Sequence, residues 1–319
     1  MQSSGRVEEY ENVRKNVIGN EIGLYDECNL LRIVRECTDI TISKGSDLKP
    51  KDFNHLDLLH YQGHDSLELF CKNHELEGSH CIDLGAGIGG TSRYLASSFN
   101  CNVRSIELST NIAGVGKTLN VFLNMTDKVE YTVGDLTRLF SDYTHWNSTF
   151  DFGFSQLVFL HISNKDALFQ SISSVMKSGA LVYIEDFFKH GNGDLVFSEH
   201  ENRVLKDDIS VPVNSLLTVD EYKSIVKKYG FEIEEWNDKT KEWTEFVWNR
   251  YENYLQQEHS TCSQLAWFYQ QMTYLYHFKD YLSKSYPLVE EQLQKIHGSF
   301  LDESRNQVLG GVQCVLRKI

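Results

Sequence analysis

Residues 81–96 read Cys-Ile-Asp-Leu-Gly-Ala-Gly-Ile-Gly-Gly-Thr-Ser-Arg-Tyr-Leu-Ala, and no other stretch constrains the fold as tightly. A short apolar run, alternate glycines and then a helical pattern describe a strand, a tight loop and a helix in immediate succession. Gly85, Gly87 and Gly89 let the backbone turn sharply and approach a ligand, and the helix behind them offers unpaired N–H groups to an anionic moiety. Such a loop suits a nucleotide-like group.

The rest of the middle region repeats the alternation. Strands are expected at Cys81–Leu84, Asn102–Ile106, Val129–Val133, Phe150–Ser155 and Ala180–Glu185, each followed by a helix-compatible segment, which is the signature of a parallel sheet covered by helices. Phe231–Trp236 and Gln307–Leu316 extend the sheet at its edge. The expectation is a Rossmann-like α/β fold: a mostly parallel seven-stranded sheet with N-terminal helices and a helical insertion before the last strand. Residues 1–75 read as an N-terminal helical lid, with Leu30, Leu31, Val34, Leu56, Leu58, Leu59, Leu67 and Leu69 on apolar faces and a break at Lys44–Pro50. Residues 76–242 and 305–319 read as the core. Residues 243–304, rich in Trp and Tyr, read as a helical cap or a dimer contact whose aromatic stripe is either plain core or pocket lining.

The loop alone does not select a cofactor, because Gly85, Gly87 and Gly90 also fit the G-x-G-x-x-G pattern of dinucleotide sites. The acids separate the readings. Asp83 sits two residues before the first glycine, where a pyrophosphate would meet like charge, whereas the ammonium and sulfonium of S-adenosylmethionine would be attracted. Glu107, after the second strand, can accept from two ribose hydroxyls and suits either cofactor. Asp135, after the third, can accept from an adenine amino group while Leu136 packs on the ring. Each acid alone also reads as a helix cap; three after successive strands point to a ligand beyond the carboxyl ends of an open sheet.

With 45 acidic against 31 basic side chains and a net charge of −14, a nucleic-acid partner is disfavoured. The seven cysteines are odd in number and show no C-x-x-C pair, so they read as free thiols without a zinc site. The polar first twenty residues hold no signal-peptide core and no stretch reaches membrane-span length, which leads us to expect a cytoplasmic chain without a membrane span. His60 and His64 lie four apart beside Asp65, yet two histidines lack a third defined ligand, so no metal is expected.

Taken together, these motifs resemble class I S-adenosylmethionine-dependent methyltransferases of the small-molecule group, which includes glycine, sarcosine and dimethylglycine, phosphoethanolamine, and sterol or tocopherol enzymes. The resemblance runs from about Leu56 to Phe188. His60–Leu67 is similar to the segment that folds over the cofactor, Phe150–Ile162 to the fourth strand and its continuation, and Leu181–Phe187 to the fifth strand with its terminal acid. It implies that Asp83, Gly85, Gly87, Glu107, Leu108, Asp135, Leu136 and Ser155 hold S-adenosyl-L-methionine, with Tyr61 and Gly63 covering it. It also implies that His161 acts at the catalytic centre with a tyrosine, Tyr61 or Tyr25, and that Gln156, His161 and Asp186 face a small-molecule acceptor. His161 also reads as a structural histidine, and Asp186 as a loop cap.

One departure bears on the acceptor. Where amine-methylating relatives read Ser-x-Asp, this chain has Ser155-Gln156-Leu157, so the amine-binding carboxylate is missing there. The basic and tyrosine residues that hold a phosphate also lack counterparts around Val211–Leu217, and phosphoethanolamine itself is not expected.

Overall fold

The computed structural model describes residues 27–53, 56, 64–189, 211–240, 242, 243, 246 and 309–319. Tyr25, Tyr61 and Gly63, along with His60, Leu58, Leu59 and most of the aromatic-rich segment, lie outside the described residues.

The chain opens with α1 (Glu27–Lys44), two single 3-10 turns at Gly45–Asp47 and Pro50–Phe53, and α2 (Asp65–Asn73). The two turns coincide with the break expected from Gly45 and Pro50. On α1 Ile33 and Cys37 are buried while Val34 is 42% exposed; on α2 Leu67 is buried as expected, joined by Phe70 and Cys71, while Leu69 is 63% exposed. Residues three and four apart share a helix face, so Leu67, Phe70 and Cys71 form one stripe and Leu69 falls outside it.

The core then alternates as read: β1 (His80–Leu84), α3 (Gly90–Phe99), β2 (Asn102–Glu107), α4 (Thr110–Phe122), β3 (Val129–Val133), α5 (Leu139–Asp142), β4 (Phe150–Gln156), α6 (Lys165–Val175), β5 (Met176–Lys189), α7 (Val219–Lys228), β6 (Phe231–Asp238) and β7 (Leu309–Lys318). Among the described residues the strands form one seven-stranded sheet in the order β3-β2-β1-β4-β5-β7-β6. The first five run parallel, with Cys81 opposite both Val103 and Phe152, and β7 inserts antiparallel between β5 and β6. Chain order reverses at β1, since β2 and β3 lie on one side and β4 and β5 on the other. That switch point is where open sheets of this kind bind ligands, beyond the carboxyl ends of the strands.

Strand alternation loads both faces of the sheet. Ile82, Leu84, Val182 and Ile184 pack against α6 and α7 through Leu168, Phe169, Ile172, Tyr222 and Val226. Cys81, Val103, Phe154 and Tyr183 pack on the other face with Leu67, Phe70 and Leu95 from α2 and α3. Each such apolar side chain, fully buried, contributes roughly 1.5–3 kcal/mol. The cysteines behave as small hydrophobes: Cys37, Cys71, Cys81, Cys101 and Cys314 are buried thiols outside any disulfide. A hydrogen bond with Cys101 and burial hold the Cys81 thiol well above the usual range, and burial does the same to Cys314, so they are poor nucleophiles.

Candidate active site

The glycine loop leaves β1 beneath two backbone bonds, Gly85 N–H and Ala86 N–H both donating to the Ile106 carbonyl at 3.0 and 2.8 Å. Gly85 has φ +88°, and a Cβ there would stand 2.5 Å from both methyls of Val158, so glycine is required for backbone conformation and for space. Gly87 has φ +56°, but a Cβ there would meet nothing within 4 Å among the described residues, which leave the loop's apex open. Tyr131 of β3 fills the position behind the loop, against Gly89 and Gly116, and its hydroxyl donates to the Gly87 carbonyl at 3.2 Å. Below it the guanidinium of Arg93, 1% exposed, donates to the Ile88 carbonyl.

The three acids line the carboxyl end of three adjacent parallel strands. Asp83, 4% exposed, accepts from the Ser92 hydroxyl at 2.5 Å, and Ser92 lies 2.7 Å from Ser105 Oγ, so the first turn of α3 is tied to both β1 and β2. Glu107 closes β2; its two oxygens accept from Gly87 N–H at 3.0 Å and Ser109 N–H at 2.8 Å, which fixes the carboxylate at the rim of the loop. A carboxylate has about four acceptor sites, so these bonds leave Glu107 capacity for further donors. Asp135 Oδ1 accepts from Thr137 N–H and Oγ1, both at 2.8 Å, and caps the 3-10 turn Leu136–Arg138. The capping reading thus describes Oδ1 of Asp135. Leu136 is buried at 6%, whereas Leu108, beside Glu107, is 72% exposed.

The other half of the switch point holds the residues expected to face an acceptor. Ser155 is buried and its hydroxyl donates to the Leu84 carbonyl at 3.3 Å; it stitches β4 to β1. Gln156 ends β4 with both amide atoms engaged, Oε1 accepting from Thr91 at 2.5 Å and Nε2 donating to Glu185 at 2.8 Å. Glu185 also accepts from Tyr183 at 2.5 Å. This buried chain runs from α3 through β4 to β5 and orients Gln156. His161 ends the 3-10 turn Phe159–His161, half-buried, with its N–H donating to the Val158 carbonyl at 3.0 Å.

Asp186 departs from its expected place. It was read as a terminal acid of the fifth strand, but β5 continues to Lys189, so Asp186 lies inside the strand opposite Val312 and is 2% exposed. Its oxygens accept from Leu160 N–H at 2.9 Å and Phe187 N–H at 2.7 Å. Burial pushes its carboxyl up to about 7, against the opposing pull of Lys165. It supports the His161 turn from inside the sheet.

Sequence reasoning missed Thr91, Tyr131, Glu185, Lys165 and Ser215. Two signals were present. Consecutive acids, Glu185 and Asp186, in an otherwise apolar strand must point to opposite faces, and each then requires buried partners. Lys165 opens α6, where the helix dipole disfavours a cation, so another interaction must hold it there. Tyr131 and Ser215 carried no local signal.

Comparison with known proteins finds similarity to several methyltransferases. A family model described as a methyltransferase domain matches residues 82–184. Phosphoethanolamine N-methyltransferase 3 of Arabidopsis thaliana is 34% identical over 110 residues, 34% of this chain and 21% of the plant protein. Sarcosine/dimethylglycine N-methyltransferase of Halorhodospira halochloris is 30% identical over 101 residues, 32% of this chain and 35% of that one. These matches span about a fifth to a third of the relatives' length. The structure of Haemonchus contortus phosphoethanolamine N-methyltransferase 2 in complex with S-adenosyl-L-methionine shares the fold, with a TM-score of 0.60 at 22% identity over 97% of this chain and 60% of that one. With its strand order, glycine loop and row of acids, the segment from Ile82 to Ile184 is similar to a methyltransferase domain.

Proposed function

We propose that the chain transfers a methyl group from S-adenosylmethionine to a small-molecule acceptor, with nitrogen as the receiving atom. The observation that carries this is the site at the switch point: Asp83, Glu107 and Asp135 end three adjacent parallel strands around a loop whose apex, Gly87, is left open by the described residues while its amide is held by Glu107. The donor set fits the cofactor. Glu107 retains acceptor capacity for two ribose hydroxyls, exposed Leu108 and buried Leu136 offer apolar surface for a purine, and Asp83 gives a negative charge suited to an amino acid end. Relatives named for nitrogen methylation of small molecules support the acceptor class.

When bound, the sulfonium supplies an already activated methyl group, so the protein's contribution is alignment and exclusion of water. Gln156, oriented at both ends of its amide, and His161 stand on the acceptor side. Neutral imidazole takes the proton that a protonated amine must lose, since the unperturbed histidine pKa of about 6.5 leaves it basic at physiological pH. Tyr61 is proposed as its partner and, with Gly63, as cover for the cofactor. Residues 1–75 are proposed as a lid, and residues 243–304 as a cap or homodimer contact on the core. The setting is proposed to be cytoplasmic; no described helix is long and apolar enough to cross a membrane.

Calorimetric titration with S-adenosylmethionine and S-adenosylhomocysteine, with NAD as comparison, tests the reading. Binding of both adenosyl ligands, weakened in Asp83→Ala and Glu107→Ala, is expected, followed by methylated products when the protein is incubated with pooled small amines and read by mass spectrometry. Binding of NAD alone, or of none of the three, would refute the proposal.

A further inference from the structure

The 3-10 turn Phe159–His161 is three residues long, yet three buried side chains from three separate elements hold its backbone. The Phe159 carbonyl accepts from the ammonium of Lys165, at the start of α6. The Leu160 N–H donates to Asp186 of β5 at 2.9 Å. The Leu160 carbonyl accepts from the Ser215 hydroxyl, which also reaches the Pro212 carbonyl at 2.6 Å. Lys165, Asp186 and Ser215 are 8%, 2% and 2% exposed.

This is a costly way to hold a short turn. Removing an ammonium and a carboxylate from water costs several kcal/mol for each ion, and apolar replacements of a buried pair are often neutral or stabilising. The cost is visible in both groups: burial lowers Lys165 to about 8 and raises Asp186 to about 7. Stability alone does not account for the arrangement. What it achieves is to over-determine consecutive backbone groups, Phe159 C=O, Leu160 N–H and Leu160 C=O, immediately before the residue that carries the imidazole.

We propose that Asp186, Lys165 and Ser215 are positioning residues that fix the turn bearing His161 and thereby set where its imidazole stands on the acceptor side of the site. The inference rests on the reading of His161 as the proton-accepting group. None of the three touches the acceptor; they act through the backbone of residues 159–160, as misplacement of a reacting group by about 1 Å can cost on the order of a hundredfold in rate.

The test uses the full chain labelled with 15N-histidine, the His161 imidazole signal being assigned by its loss in His161→Asn. Asp186→Asn, Lys165→Met, Ser215→Ala and Ser215→Thr are compared with wild type. The first three are expected to shift or double the His161 signal while S-adenosylhomocysteine affinity stays within about twofold, as expected for independent sites. Methyl transfer to an amine identified by the product screen is expected to lose about tenfold or more in kcat with the KM for S-adenosylmethionine unchanged. Ser215→Thr keeps the hydroxyl and is expected to retain the wild-type signal. An unchanged His161 signal in variants that still bind S-adenosylhomocysteine would overturn the proposal. Should the two charge variants fail to fold, the Ser215 pair decides it alone: a Ser215→Ala signal identical to wild type overturns it. Absence of S-adenosylhomocysteine binding in wild type would instead sink the cofactor reading, and the imidazole signal would still report on the turn.

Discussion

The two halves of the sheet are built differently. On the β1–β3 side, short loops follow the strands, the acids sit within two residues of the strand ends, and the bonds that hold the acids connect residues close in sequence or on adjacent strands, as with Glu107 to Ser109 and Gly87. On the β4–β5 side the supports come from far away: Asp186 reaches back to Leu160, Ser215 to Leu160, and Trp243 packs against Phe187 with ring centroids 5.5 Å apart. The strand-end acids are thus held by local contacts, while the turn bearing His161 depends largely on a frame of long-range ones.

The largest expected effects come from glycines that anchor each half. Gly85→Ala forces a side chain into φ +88° and against Val158, and is expected to cost about 2–4 kcal/mol of stability and to abolish S-adenosylhomocysteine binding by calorimetry. Gly311→Ala drives a methyl into the Trp243 ring and is expected to cost about 1–3 kcal/mol in a urea titration while leaving cofactor affinity intact. Equal loss of affinity in both variants would break the contrast between the halves.

Next in size, Glu107→Ala removes a carboxylate that holds the loop apex and is proposed to accept from ribose hydroxyls; with charge-assisted hydrogen bonds at about 1.5–3 kcal/mol each, a loss of roughly a hundredfold in affinity is expected. An affinity change under about threefold would remove Glu107 from the cofactor site.

The buried pair makes the β5 side sensitive to pH. Burial raises Asp186 from 3.8 to about 7, so its protonation favours the fold below about 4 and that contribution fades as pH rises through 7. Lys165 is lowered from 10.5 to about 8, so its contribution is present above about 10.5 and is lost as pH falls through 8. Thermal unfolding of Asp186→Asn between pH 4 and 7 is therefore expected to be flatter than that of wild type. Parallel curves would show that Asp186 does not take up a proton on folding in this window.

Smaller effects sharpen the picture around α7. Thr218 and Glu221 form a reciprocal capping box at its start, and Thr218→Ala is expected to cost about 1 kcal/mol, read by urea denaturation. Tyr222, on the same helix, buries a hydroxyl that finds no hydrogen-bond partner among the described residues, between the rings of Phe169 and Trp236. Tyr222→Phe is expected to be neutral or to stabilise by up to about 1 kcal/mol; clear destabilisation would mean that the hydroxyl is satisfied.

Much of the fold was legible because its signals are local. Each expected strand overlaps an observed one, and the glycine loop and the three acids fall where the alternation of strand and helix puts them. The least legible parts were those governed by pairing. β5 extends beyond Ala180–Glu185 to Lys189 because β7 offers partners as far as Leu309, and the register that draws Asp186 inside the sheet is a property of two strands, not one. The same reason hid which apolar residues face inward on α1 and α2, Ile33 rather than Val34 and Leu67 rather than Leu69, since which stripe of a helix is buried depends on what packs against it.

By itself, then, the sequence determined the alternating architecture, the cofactor loop and the row of acids after the first three strands, because hydrophobic periodicity, glycine conformation and strand-end chemistry act over a few residues. Only the tertiary structure decided that Glu107 grips the loop apex, that Gln156 is held between Thr91 and Glu185, and that Asp186, Lys165 and Ser215 converge on one short turn. Apart from Lys165 and Phe159, six positions apart, those contacts join residues twenty or more positions apart. Burial then turns each unpaired polar group into a cost of about 1–3 kcal/mol, which the fold avoids by bringing its partners together.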